Sequence, residues 1–135
     1  MAEDMKIDVL LFDSQNIQRN LLTEMLVKLG CNVTAVNNEK DCLVELVKKN
    51  YQLFLFDQNI PDIKLTDFLA ELTNLDPLTP MAMMATLPVE FYDKKYGKSN
   101  VDFLIYKPFE LAQLSKLIQE ASELCEKLKR KHANN

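Results

Sequence analysis

The sequence predicts a doubly wound α/β sandwich, a five-stranded parallel sheet flanked by five helical segments. Three observations carry this prediction. Short β-rich apolar runs alternate along the chain with segments whose apolar residues recur at helical spacing. The central run, Leu53-Phe54-Leu55-Phe56, is too short for a helix and apolar at every position, as a strand covered on both faces must be. Two runs end on an acid, Asp13 and Asp57, and the last ends on Lys107. Charge therefore collects at the carboxyl edge of the strands, where open α/β sheets bind ligands.

In chain order, the first strand is Lys6 to Phe12, a β-branched and aliphatic run closed by Asp13. After Ser14-Gln15-Asn16, the positions Ile17, Leu21, Leu22, Met25, Leu26 and Leu29 define a helix that stops at Gly30. Glycine suits that stop because it enters the left-handed region without a Cβ penalty. Cys31 to Val36 forms a short second strand. Asn37-Asn38 then offers an N-cap to a helix with Cys42, Leu43, Leu46 and Val47 on its apolar face. The break at Asn50-Tyr51-Gln52 leads into the central strand. Beyond Pro61, Leu65, Phe68, Leu69 and Leu72 mark a third helix, stopped by the segment from Asn74 to Pro77.

The run from Pro80 to Ala85 reads as the fourth strand, its methionines packing the core rather than ligating. Thr86 to Gly97 is a loop with a short helix over Val89 to Tyr96. Val101 to Tyr106 is the fifth strand, followed by Lys107-Pro108-Phe109. The last helix begins near Glu110 and carries Leu111, Leu114, Ile118, Ala121, Cys125 and Leu128 at three-then-four spacing. Such a seam packs on its own sheet or outruns the domain and supports a homodimer. The domain is expected over residues 6–120, with 121–135 a helical extension and a polar, frayed tail holding the one histidine, His132.

At 135 residues, 47% hydrophobic and 27% charged, the chain fits one domain with a proper core. A net charge of −4 leaves no basic footprint for direct nucleic-acid binding. The opening Met-Ala-Glu-Asp lacks a signal-peptide pattern and no apolar run approaches bilayer length, so a cytoplasmic protein without membrane attachment is expected. Cys31, Cys42 and Cys125 are widely spaced and odd in number, which predicts reduced, packed thiols. With only Gly30 and Gly97, neither the dinucleotide fingerprint nor the P-loop can be built. No D-x-D motif follows either acid, and the lone tail histidine excludes a Ser/His/Asp or Cys/His arrangement.

What remains is two acids and a lysine at one sheet edge. Carboxylates from separate strands can hold Mg²⁺, an ammonium can neutralise an incoming phosphoryl group, and an aspartate can itself become an acyl phosphate. Phe12-Asp13, Asp57-x-Asn59-x-Pro61 and Lys107-Pro108-Phe109, each at a strand end, resemble the response-regulator receiver domain of the CheY-like class from about Lys6 to Glu120. The resemblance implies the sheet order 2-1-3-4-5. It implies Asp57 as phosphoacceptor, Asp13, Asp57 and the Asn59 carbonyl around Mg²⁺, and Lys107 on the phosphoryl group. It further implies a signalling module rather than an enzyme. The implied phosphodonor is a histidine kinase or phosphotransfer protein. The implied output is a protein partner reached through the fourth helix, fifth strand and fifth helix.

Four positions depart from the family pattern. Ser14 stands where a second acid is usual, which predicts weak Mg²⁺ binding. Ala85 stands where a Thr or Ser hydroxyl meets the phosphoryl group, and Thr86 could replace it only if the strand slipped by one residue. Leu104 replaces the switch aromatic, and Leu65 a turn glycine. These substitutions keep a second expectation open: a pseudo-receiver that binds partners without phosphorylation.

Overall fold

The strands of this computed structural model, which describes residues 6–61, 63–75, 78–86 and 101–133, are β1 (Ile7–Phe12), β2 (Cys31–Val36), β3 (Leu53–Asp57), β4 (Met81–Ala85) and β5 (Phe103–Tyr106). They form one five-stranded sheet in the order β2-β1-β3-β4-β5, with every pairing parallel. Four helices are present among the described residues: α1 (Asn16–Lys28), α2 (Glu39–Lys48), α3 (Leu65–Leu75) and α4 (Leu111–Ala133). The short helix expected over Val89 to Tyr96 lies outside them.

Side-chain alternation divides the core into two layers. On one face Val9, Leu11, Leu53, Leu55, Ala82 and Met84 pack against Leu22 and Leu26 of α1 and Leu114, Leu117, Ile118 and Ala121 of α4. On the other, Leu10, Phe12, Phe54, Phe56, Met81 and Met83 meet Cys42 and Leu46 of α2 and Phe68, Leu69 and Leu72 of α3. Burial of both faces explains why β3 and β4 are apolar at almost every position, the run ending on Asp57. The three cysteines are free thiols and all buried.

Local signals place the element ends. Gly30 has φ of +90° and ends the turn after α1. Asn38 caps α2, its side-chain oxygen accepting the Asp41 N–H at 2.9 Å. The helical stripes are narrower than the spacing predicts. Ile17, Leu21 and Val47 are 86%, 56% and 70% exposed, because a helix lying on a sheet buries one stripe and these residues flank it. The last helix continues unbroken to Ala133, through most of the segment expected to fray, and its final turn carries Arg130 and Lys131, cations suited to the negative helix end. Within it Leu114, Ile118, Ala121 and Cys125 are buried in the chain's own fold, so the first part of the seam packs on the sheet.

Candidate functional site

Phe12 and Phe56 are directly paired in the parallel ladder, so β1 and β3 end side by side and release Asp13 and Asp57 together. Continuing the strand alternation, both acids fall on the α1–α4 side of the sheet. Asp13 is 1% exposed and Asp57 7%, unusual burial for carboxylates and a sign that their oxygens are matched by donors. One oxygen of each takes a backbone N–H two residues on: Asp13 Oδ1 accepts from Gln15 at 2.9 Å and Asp57 Oδ1 from Asn59 at 2.8 Å. The other oxygen of each points into the space between them.

Lys107 reaches this space from the end of β5, where its backbone N–H bonds to the Ala85 carbonyl at 2.8 Å. Its ammonium forms an ion pair with Asp57 Oδ2 and donates to Gln18 Oε1 at 3.1 Å. The Lys107-Pro108 peptide is cis. Thus Asp13, Asp57 and Lys107, expected at one edge, do converge, and Asn59 contributes its N–H at the exposed rim.

Gln18 is the residue that sequence reasoning missed. Its Nε2 donates to Asp13 Oδ2 and, at 2.9 Å, to Asp57 Oδ2, so both carboxylates converge on one nitrogen. The amide orientation is dictated by its neighbours: reversed, its oxygen would face two carboxylates and its NH₂ an ammonium. A signal was available. Gln18 lies four and eight residues before Leu22 and Leu26, the buried stripe of α1, so the inward face of the helix reaches the site through Gln18. Arg19 reinforces the same turn, donating to the Asp13 carbonyl at 2.8 Å and to the Asn16 side chain.

The strand has not slipped to bring a hydroxyl in. Asp57 pairs with Met84, and the Ala85 side chain is fully buried in the α2–α3 core layer. Thr86 is exposed, with its N–H and hydroxyl both donating to Gln58 Oε1, at 2.7 and 3.2 Å. Leu104 packs against the same core layer as Ala85. Beside Lys107, an apolar groove of about 460 Å³ runs along α1, lined by Leu21, Met25, Pro108 and Phe109 among others.

A buried acid pair with a lysine at the carboxyl edge of a 2-1-3-4-5 parallel sheet defines a receiver-type module. The family model of the response regulator receiver domain matches residues 9–119, and the chain belongs to that family. It is 29% identical over 105 residues to the transcription factor SKN7 of Candida albicans, a match covering 77% of this chain and 19% of that protein. The chain thus spans about a fifth of the length of this relative.

Solved structures share the fold. The receiver domain of a sensor histidine kinase from Pseudomonas aeruginosa, described with a magnesium ion in its active-site cleft, superposes with a TM-score of 0.78 at 17% identity, covering 88% of this chain and 99% of that one. The chemotaxis response regulator CheY4 of Vibrio cholerae gives 0.75 at 21%, over 87% and 99%. NtrX of Brucella abortus gives 0.80 at 21%, over 96% of this chain and 29% of that one. No helix among the described residues is long and apolar enough to cross a membrane.

Proposed function

We propose that this receiver domain accepts a phosphoryl group on Asp57 from the phosphohistidine of a histidine kinase or phosphotransfer protein, and relays the change to a protein partner. The observation that carries this reading is the ion pair between Lys107 Nζ and Asp57 Oδ2, set in one hydrogen-bonded cluster with Asp13. An Asp57 oxygen attacks phosphorus, the phosphorus–nitrogen bond to the donor imidazole breaks, and the Lys107 ammonium neutralises the oxygens that arrive. The apolar groove beside Lys107 supports approach of a donor from the α1 side.

Mg²⁺ is the cation this donor set suits, through Asp13, Asp57, the Asn59 carbonyl and retained waters. The support lies in the convergence of both Oδ2 atoms on a common point, now served by Gln18. Ser14 in place of an acid leaves two carboxylates, consistent with weak binding. When bound, the ion would offset the negative charge that gathers as phosphate arrives. For output, the sheet edge at β5 and the adjoining α4 border a groove of about 310 Å³, on the face expected to meet a partner.

Ala85 and Thr86 favour a second reading, a pseudo-receiver. The first offers no hydroxyl to a phosphoryl group, and the second is bonded to Gln58. The two readings separate on incubation with acetyl phosphate, or with beryllofluoride, at millimolar Mg²⁺. A mass increase or adduct that disappears in Asp57→Ala is expected. Absence of any adduct, together with partner affinity unchanged by Asp57→Asn, establishes the pseudo-receiver instead.

A further inference from the structure

We infer that Gln18 is a built-in neutral substitute for the divalent cation, a carboxamide that ties the two acids together and has to leave or turn over before a metal can bind. This rests on the reading of Asp13 and Asp57 as the cation-binding acids, and it concerns which side chain competes with the cation for their oxygens. Two nearly buried carboxylates facing one point repel each other unless something positive or proton-donating stands between them. Lys107 pairs with Asp57. The donor common to both acids is Gln18 Nε2, whose two hydrogens are matched by its two carboxylate partners.

The carboxamide is used at both ends. Its Oε1 accepts from Lys107 at 3.1 Å, so the ammonium, the amide and Asp57 close a ring of hydrogen bonds to which Asp13 is tied through Nε2. A cation arriving between the acids meets the positive edge of Nε2 and competes with it for the same oxygens. Gln18 can yield by swinging out, or by rotating its amide so that Oε1 faces the metal. Rotation would present NH₂ to Lys107 and leave the ammonium on Asp57 alone. By either route, metal entry and loss of the Gln18–Lys107 hydrogen bond are linked through this one side chain.

The test is direct Mg²⁺ binding, by calorimetry and by amide NMR titration with MgCl₂, on wild type, Gln18→Ala and Gln18→Glu. Removing a donor to charged acceptors destabilises the metal-free pocket more than the metal-bound one, so Gln18→Ala is expected to bind Mg²⁺ about tenfold more tightly. Gln18→Glu adds a third carboxylate and is expected to bind more tightly still. Mg²⁺ should also raise the Tm of both variants more than that of wild type, a response that a merely structural glutamine would not produce. Gln18→Met, of similar volume but without donors, replaces Gln18→Ala if the latter does not fold.

Affinities of all variants within about twofold of wild type, or no Mg²⁺ binding by any of them, overturn the inference. Acetyl phosphate labelling of the same samples keeps the two proposals apart. Tighter Mg²⁺ binding without labelling upholds the role of Gln18 and refutes phosphorylation of Asp57. Labelling with unchanged affinity does the reverse.

Discussion

Phe68 joins the two strands that deliver the acids, and its removal should loosen both at once. The ring is fully buried in α3 and lies edge-on to Phe12, Phe56 and Phe54, at centroid distances of 5.7, 5.6 and 6.3 Å. Phe12 and Phe56 are register partners and immediately precede Asp13 and Asp57. Phe68→Ala removes the whole ring from a packed layer, a loss of about 3–5 kcal/mol. Phe68→Leu keeps most of the apolar volume and forfeits mainly the edge-to-face contacts, each worth roughly 0.5–1.5 kcal/mol and not strictly additive. A loss of about 1–2 kcal/mol is expected there. Against a total of roughly 7–20 kcal/mol for 135 residues, both variants should stay folded in water.

Urea unfolding followed by circular dichroism reads these values. With a slope near 1.5 kcal/mol per molar, the midpoint should fall by about 2–3 M for Phe68→Ala and about 1 M for Phe68→Leu. Amide resonances of Asp13 and Asp57 should shift in Phe68→Leu, while Leu117 in the opposite layer is little moved. A fall of less than about 0.5 M for Phe68→Ala, or equal falls for the two variants, would refute the claim that the aromatic cluster braces the strand ends.

Two further outcomes follow from local geometry. Asn38→Ala deletes the cap on α2 and should cost about 1 kcal/mol, lowering the Tm by roughly 2–6 °C, with Asn38→Ser restoring most of it; an unchanged Tm would show the cap idle. The Tyr51 hydroxyl donates to Glu45 Oε1 at 2.6 Å, and burial, with Glu45 adding to it, pushes its pKa up to about 12 from an ordinary 10.0. The folded state therefore holds this proton more tightly than the unfolded one. Its contribution is complete below about pH 10 and is lost as pH rises through about 12. Glu45 is held below its ordinary value chiefly by the same hydrogen bond, so its contribution is lost instead as pH falls through that lowered value. Urea midpoints of wild type and Tyr51→Phe across the alkaline range check this, and a gap between them that stays constant above pH 10 would count against it.

Much of the fold was legible because the signals behind it are short-range. The alternation of apolar runs with helical spacing, the left-handed stop at Gly30 and the Asn38 cap each depend on residues within a few positions of one another. Asp57 could be singled out the same way, as an acid terminating an apolar strand. Spacing alone said less about exposure. Leu21 and Val47 keep helical period and still face outward, since period ranks residues by direction while the neighbouring element sets how wide the buried stripe is.

By itself, then, the sequence determined the elements and which of their ends carry charge, since propensity, capping and alternation act locally. Only the tertiary structure decided what those charges meet. The Gln18–Asp57, Asp57–Lys107 and Gln18–Lys107 contacts span 39, 50 and 89 residues, distances closed by parallel crossovers and not by any local preference. It likewise decided that Ala85 turns into the core and that the Thr86 hydroxyl goes to Gln58. Strand register fixes both, and register is a property of the assembled sheet.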